Sequence, residues 1–450
     1  MTASAYRFPD KKYLLLIRDT KGGVVTLIFF AIILSIYLLY LLQRKIYEKK
    51  ALSQIGYDVS FSCGEAFAGD IIYMYEEISN NKNLPIVFAK VDTELPDGLS
   101  FLMLPFGSDR VEVQKGFIES IFSLHSHSAV KRRWRVYCSR RGIYSPGTVL
   151  IITGDMTGSN NTSRRYEVPH SVQNQLTVLP RIIDLDLYFT SSRIQPGEVA
   201  LPRGLFSDAM TRAGTREYTS SDPMSKINWK STAAHASLQV NVEEYLQNYS
   251  FNIIINMQAR DHDQAHAKPS IPYYIENNIT VAASIIDRVA SYDVSVAIIA
   301  NSDTESLGRA LYADEDMNTL RITESYSGTT DTLAALHTLA EMKTDISIST
   351  EKMLDVILSD PYEYAPGGNL IFISAYFTER MVSFHREMKK LGISVSFYLT
   401  AGSIGVRDLP SDIEIFYIYS HSDDIDFSRA DVGDYNEEIS SGTFGEEDGN

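Results

Sequence analysis

Between Thr215 and Lys230 the chain reads TREYTSSDPMSKINWK, gathering Arg216, Glu217, Tyr218, Asp222, Asn228, Trp229 and Lys230. Charges of both signs beside two large rings are an unusual load for a loop, because burying the rings requires pairing the charges. Three chemistries suit these residue types. Arg216, Glu217, Asp222 and Lys230 can form an ion-pair network sealing two domains together, with Tyr218 and Trp229 as its apolar pins. The same set can form a recognition surface for a protein partner. A hydrolase would instead need Glu217 or Asp222, with a raised pKa, beside Ser220 or Ser231. The sequence presents no evident nucleophile–base pair, although Ser220, Ser231 and Lys230 are available.

The local elements must position these groups. In an extended chain Arg216 and Tyr218 face one side and Glu217 the other. Ser220-Ser-Asp-Pro223 has the composition of a turn, with Asp222 as a cap and Pro223 at the first helical position. Met224–Trp229 is then expected as about a turn and a half of helix. Ser237–Val242 alternates like a strand.

This stretch resembles the signature of the bacterial "domain of unknown function 58" family, which runs roughly R-E-Y, G-D, then I-D/N-W-K. The match carries onto Arg216, Glu217, Tyr218, Asp222, Ile227, Asn228, Trp229, Lys230, Ala233, Leu238, Val240 and Glu243. Upstream it takes in Arg141-Gly142, Tyr144, Gly147, Asp155, Gly158 and Leu179-Pro180. Three positions depart from it: Ser221 replaces a usual glycine, and Lys226 and Ala234 replace usual arginines. The loss at Ala234 removes a guanidinium able to grip a carboxylate or phosphate with two parallel bonds. The resemblance implies a membrane anchor, a β-sandwich and a von Willebrand factor A-like domain. Its members are often encoded beside MoxR-type AAA+ ATPases and membrane transglutaminase-like proteins. The implied role is a non-catalytic scaffold or adaptor for such an ATPase, in envelope assembly or stress.

The segments around the signature are consistent with that plan. Residues 1–23 precede an uncharged apolar run at 24–42, long enough to span a bilayer core of about 30 Å. No small-residue cleavage site follows it, so it reads as an anchor rather than a signal peptide. Family relatives commonly begin with a hairpin of two spans, but Tyr13–Ile17 is too short to be the first. Arg7, Lys11, Lys12, Arg18 and Lys21 precede the span, and Arg44, Lys45, Lys49 and Lys50 follow it. The denser downstream cluster favours a cytoplasmic body.

Residues 55–200 show short alternating runs: Tyr57–Cys63, Ile71–Tyr75, Ile86–Val91, Arg133–Cys138 and Thr148–Thr153. Turn-rich connections between them predict an antiparallel β-sandwich. Within it, alternation turns Trp134 inward and leaves Arg133 and Arg135 on a solvated face. Cys63 and Cys138 are either buried small side chains or a single bridge between strands. His125 and His127 read as a solvated loop pair.

After the signature segment, at 201–245, residues 246–420 change period. Buried strands at Tyr249–Met257, Val294–Ala300, Leu370–Ser374, Ile393–Leu399 and Ile413–Tyr419 alternate with helices. The helices are Ile275–Ala290, one capped by Thr330 and running to Met342, and Glu379–Lys390. This order predicts a mainly parallel sheet covered on both faces. The fold class is thus α+β multi-domain: a transmembrane helix, a β-sandwich and an α/β domain.

Von Willebrand A modules often bind a divalent ion through Asp-x-Ser-x-Ser at the end of the first strand. Here the same place holds Asn256, Gln258 and Arg260, and the later acidic position reads Ser374-Ala375. The oxygen donors Mg²⁺ requires are replaced, so no metal and no metal-dependent adhesin are expected. Asp261-His262-Asp263 with His266 reads as a polar loop. No Walker loop, GxGxxG, HExxH or CxxC signals a cofactor. The formal net charge of −16 argues against nucleic acid. The acidic stretch at 421–450 is expected to be disordered, or a docking tail for a basic partner.

Overall fold

The structure is a computed structural model describing residues 11–103, 112–154, 161–166, 174–191, 210–219, 224, 227–235, 237–245, 250–290, 294–302, 304, 307–313, 319–404, 406 and 410–418. The tail at 421–450 lies outside the described residues. So do Ser220 and Asp222.

Helix α1 (Lys11–Lys50) is continuous through Tyr13–Ile17 and the apolar run. Its segment Thr26–Tyr47 is long and apolar enough to cross a membrane, and none of its apolar 18-residue stretch is buried by the rest of the described chain. The helix ends by docking. Tyr47 is buried and its hydroxyl donates to Pro85 O at 2.6 Å. Ala51 and Leu52 are buried immediately after it, and Tyr166 OH donates to Leu52 O at 2.9 Å.

The first body contains β1 (Ile55–Phe61), β2 (Glu65–Phe67), β3 (Ile71–Asn80), β4 (Ile86–Glu94), β5 (Leu99–Met103), β6 (Glu112–Lys115), β7 (Phe117–Leu124), β8 (Ser128–Cys138), β9 (Gly142–Tyr144), β10 (Val149–Gly154), β11 (Asn161–Tyr166) and β12 (Leu176–Leu179). One sheet runs β1-β3-β8-β5-β6 and the other β11-β10-β4-β7, all antiparallel. A small third sheet, β2-β12-β9, has one parallel pair.

Period-two alternation builds this core. On β3, Ile72, Met74, Glu76 and Ile78 all face inward. On β8 the inward row is Arg132, Trp134 and Val136, directly opposite Glu76, Met74 and Ile72. Trp134 stacks edge-on against Phe101 with ring centroids 5.8 Å apart. Arg133 lies on the other face, over the Tyr73 ring at 5.0 Å. Both cysteines are free, Cys138 buried and Cys63 half-buried, so the bridge alternative does not hold. Burial, with Asp70 nearby, pushes the Cys138 thiol up to about 12. Iodoacetamide at pH 8 is therefore expected to alkylate Cys63 in the folded protein and to spare Cys138 until denaturant is added. Peptide mapping by mass spectrometry checks this; equal labelling would contradict the packing described.

The second body contains α2 (Leu185–Tyr188), β13 (Phe189–Ser191), β14 (Met210–Glu217), α3 (Trp229–His235), β15 (Gln239–Tyr245), β16 (Ser250–Ile255), α4 (Pro272–Val289), β17 (Ser295–Ala300), β18 (Arg309–Ala313), β19 (Thr319–Ile322), α5 (Gly328–Glu341), α6 (Thr350–Ser359), α7 (Pro361–Tyr364), β20 (Asn369–Phe377), α8 (Glu379–Lys390), β21 (Ser394–Ile404) and β22 (Glu414–Ile418). The large sheet runs β13-β22-β21-β20-β16-β17-β19-β18. Strands β22, β21, β20, β16 and β17 are parallel neighbours. β13 at one edge and β19–β18 at the other are antiparallel, so the sheet is mixed.

Alternation along β16 fills both faces. Ile253 and Ile255 pack with α4 and α5, and Ile254 packs with α6 and α8. Helix α5 begins after Ser327 rather than at Thr330. Residues 182–191, placed with the sandwich from sequence, belong physically to this body. Ile183 and Leu185 enter its core, and β13 extends its sheet.

Candidate functional site

The signature folds as a hairpin carrying a short helix. β14 and β15 pair antiparallel, Arg216 opposite Val240 and Glu217 opposite Gln239. The Tyr218 N–H donates to Leu238 O at 2.8 Å, extending that register by one residue. Ile227 is buried against Val240. Asn228 then anchors the return: its N–H donates to Gln239 O at 2.7 Å, and its Oδ1 accepts the Ser231 N–H at 3.0 Å. That second bond makes Asn228 the N-cap of α3. The helix therefore starts at Trp229, not at Met224, because the short amide caps while Ile227 remains in the bridge to Val240.

This start places Trp229 and Lys230 at the beginning of α3 with both side chains in solvent. Trp229 is 67% exposed, so it does not serve as an apolar pin within this chain. Glu217 is exposed and Tyr218 half-buried. The backbone of Arg216 is described, but its side chain lies outside the described residues. The hydrolase arrangement of Asp222 with Ser220 also falls outside them.

Among the described residues, a polar contact that joins the two bodies lies at Arg141. Its side chain is 6% exposed. Nη1 donates to Leu339 O, Ala340 O and Met342 O at 2.9, 3.2 and 2.8 Å, gathering the free carbonyls at the end of α5. Those carbonyls form the negative end of the helix dipole, where a cation is favoured. Nε pairs with Glu276 Oε2 at 3.0 Å, and Nη2 donates to Glu276 Oε1 at 3.3 Å. His337 Nε2 and Glu65 Oε1, 3.0 Å apart, add a second contact across the same seam. Arg141 lies within the segment that carried the upstream family match; its spacing alone gave no reason to single it out.

The carboxyl ends of the parallel strands form the third candidate place. In open α/β sheets this edge, at the point where strand order reverses, is where ligands bind. Here β16 lies between β17 and β20, and its end meets a cluster of neutral polar groups. Asn256 Nδ2 donates to Ser374 Oγ at 3.0 Å, and Thr350 Oγ1 donates to Asn256 Oδ1 at 2.8 Å. Tyr376 OH donates to Thr350 Oγ1 at 2.9 Å, and Gln258 Oε1 accepts the Thr350 N–H. Asn278 Nδ2 donates to Asn256 O at 2.7 Å, and Asn301 Oδ1 accepts the Met257 N–H at 2.7 Å. Amide and hydroxyl groups use one another's hydrogen-bonding capacity and fill the position with a buried network. Burial pushes the Tyr376 phenol up to about 12, so it remains a donor.

Arg260 is exposed beyond this network. Asp263, read from sequence as part of a polar loop, is nearly buried. Its Oδ2 accepts the N–H groups of Ala259, Arg260 and Ser270 at 2.9, 3.1 and 3.2 Å. It organises the backbone after β16. Among the described residues, no group of three or more His, Cys, Asp or Glu is placed to hold a metal ion. His127 bonds Asn83 Oδ1 at 2.7 Å, consistent with the loop expected there.

No family model matches the chain, and no curated protein does. Local resemblances to solved structures exist. A C-terminal fragment of Escherichia coli alpha-2-macroglobulin aligns at 14% identity over 28% of this chain and 23% of its own, with a TM-score of 0.20. The RrgB pilus backbone of Streptococcus pneumoniae aligns at 13% identity over 23% of this chain and 32% of its own, with a TM-score of 0.17. A putative membrane-anchored protein from Corynebacterium diphtheriae aligns at 12% identity over 29% of this chain and 36% of its own, with a TM-score of 0.19. In each case the match spans about a third or less of the neighbour's length.

Proposed function

We propose that this chain is a non-catalytic, membrane-anchored adaptor that presents the Trp229–Lys230 helix to a MoxR-type AAA+ ATPase. The body is cytoplasmic in this reading, the chain is of the domain-of-unknown-function-58 type, and its α/β body is von Willebrand A-like. The observation that carries the proposal is the exposed Trp229 on a helix start fixed by Asn228 and the β14–β15 hairpin. A large aromatic held rigidly in water, next to a lysine, has the composition of a binding hot spot. The neutral network at the strand ends supports the same reading, since its polar atoms are engaged with one another rather than directed at a substrate.

The test is co-purification of the detergent-solubilised full chain from its own cells, with and without ATP. Wild type is compared with the Trp229→Ala/Lys230→Ala double variant, whose folding is checked by protease resistance. Wild type is expected to recover the ATPase, and the folded variant to lose at least about tenfold of it, as hot-spot truncation does. Unchanged recovery, or no ATPase with wild type, would rule out the adaptor role assigned to this helix.

A further inference from the structure

The junction of α1 with the sandwich holds a lysine that meets no counter-charge among the described residues. Lys82, in the β3–β4 loop, is only 7% exposed, and its Nζ is enclosed without a hydrogen-bond partner. Burial alone pushes its ammonium down to about 8. The loop is built rather than slack. Asn80, fully buried, donates from Nδ2 to Leu84 O at 3.0 Å and His125 O at 2.8 Å.

A second unsatisfied donor sits on the helix. Tyr40, Gln43 and Tyr47 are spaced three and four apart and share one helix face. Tyr47 docks on Pro85, three residues after Lys82, and Gln43 lies one turn before Tyr47. Gln43 Nε2 is also buried without a partner. An isolated ammonium and an amide N–H₂ are both donors, and leaving them unpaired away from water is costly. Among the described residues neither donor meets an acceptor, and one carrying negative charge would suit both.

The position indicates where that acceptor comes from. Tyr47 closes the apolar segment Thr26–Tyr47, so this junction sits at the depth where hydrocarbon gives way to headgroups. Arg44, Lys45, Lys49 and Lys50 are exposed around the helix exit, and Val87 and Phe88 are exposed just after Pro85. A basic collar beside an apolar pair is the surface expected to meet an anionic bilayer face.

We propose that Lys82 and Gln43 bind the phosphate of an anionic phospholipid in the leaflet at the exit of α1; this rests on α1 spanning the bilayer. In this proposal the flexible four-carbon stem of Lys82 swings its enclosed ammonium out to the phosphate. The bound phosphate supplies a charge partner for Lys82, locking the sandwich against the membrane.

The test uses the purified full chain in an uncharged detergent. Thermal unfolding is followed with added phosphatidylglycerol, phosphatidylcholine or inorganic phosphate. Phosphatidylglycerol is expected to raise Tm by about 3–6 °C, as a ligand specific for the folded state does. Phosphatidylcholine and inorganic phosphate should give little change, and Lys82→Met and Gln43→Leu should abolish the phosphatidylglycerol effect. Should either variant fail to fold, acylation of Lys82 in wild type is mapped by mass spectrometry at pH 8. Phosphatidylglycerol is then expected to slow acylation several-fold. Equal stabilisation by inorganic phosphate or phosphatidylcholine, a retained effect in a folded variant, or acylation indifferent to phosphatidylglycerol would each overturn the proposal. Alkaline carbonate extraction of native membranes separates the two ideas. A chain that stays in the pellet but shows no lipid effect loses the lipid site alone; a chain released into the supernatant loses the span.

Discussion

Arg141→Met is expected to split the thermal unfolding of this chain into two transitions. In wild type one guanidinium serves both bodies. It is anchored on the sandwich beside β9, and it satisfies three carbonyls at the end of α5 and the Glu276 carboxylate on α4. Methionine preserves the length and apolar volume of the stem but supplies no donor. The α5 carbonyls and Glu276 then remain at the seam without their cation. Breaking a buried pair from one side costs about 3–5 kcal/mol, and the partial exposure of Glu276 places this case near the lower end. For a body of this size that corresponds to a Tm lowered by about 6–12 °C. Because the cost falls on the interface, the loss should appear as lost coupling between the bodies. Calorimetry of the full chain should show one broadened or two separate endotherms. Arg141→Lys should resemble methionine more than wild type, since an ammonium cannot reach four acceptors from one planar fork. A single unshifted endotherm in the methionine variant would mean that the seam is held by other contacts.

The contrast between the two candidate seams shows what the sequence makes legible. Runs such as Ile71–Tyr75 and Leu370–Ser374 carry their own period and emerge as β3 and β20, and Glu379–Lys390 is helix α8 to the residue. The long apolar helix is equally plain from composition. Less legible is the partnering of charges. The charge-rich signature looks like a domain seam, yet its described part is a hairpin with Trp229 in solvent. The seam visible among the described residues uses Arg141, one arginine in Ser-Arg-Arg-Gly, whose carbonyl acceptors lie about two hundred residues away. Nothing local distinguishes a guanidinium that will collect helix carbonyls from one that will face water. Helix starts fail for a related reason. Asn228 caps α3 because the register of Ile227 on Val240 sets the helix start there, which the composition of the preceding turn does not announce. The neutral set at the strand ends is a middle case. Asn256, Gln258 and Ser374 are located by the strand pattern, but that Thr350 and Tyr376 close the network follows only from the packing of α6 and β20.

Glu76→Gln is expected to be the most damaging single change within the sandwich, although it adds no volume. Glu76 is 2% exposed in the inward row of β3, between Met74 and Ile78. Its Oε1 accepts the Thr93 hydroxyl at 2.8 Å, and its Oε2 accepts the Trp134 indole N–H at 2.8 Å. Arg132 Nη2 pairs with Oε2 at 2.7 Å from the position directly opposite. The Arg132 guanidinium also lies over the rings of Phe122 and Trp134, at 5.1 and 5.2 Å, and donates to Ser120 Oγ. Desolvation there lowers its pKa, and the Glu76 charge opposes that shift. The same carboxylate, after burial, helps to push the Tyr57 phenol upward.

Glutamine removes the counter-charge and turns one acceptor into a donor. Threonine can rotate its hydroxyl to accept from the new amide N–H₂, which leaves the amide oxygen for the indole N–H, so the counter-charge is the main loss. The uncompensated guanidinium dominates the cost, which should reach about 3–5 kcal/mol. Adding Arg132→Met to Glu76→Gln should restore most of that loss, since replacing both ions with uncharged groups leaves only the strained hydrogen bonds, about 1–3 kcal/mol. Urea unfolding of the full chain in detergent, followed by far-UV circular dichroism for the two single variants and the double variant, measures the coupling directly. A double variant as unstable as the two single losses added together would show that Glu76 and Arg132 do not act as a pair. The outward charges on the same strands, Glu77 with Lys131 at 3.1 Å, serve as the internal control. That exposed pair should change stability by less than about 1 kcal/mol when cut.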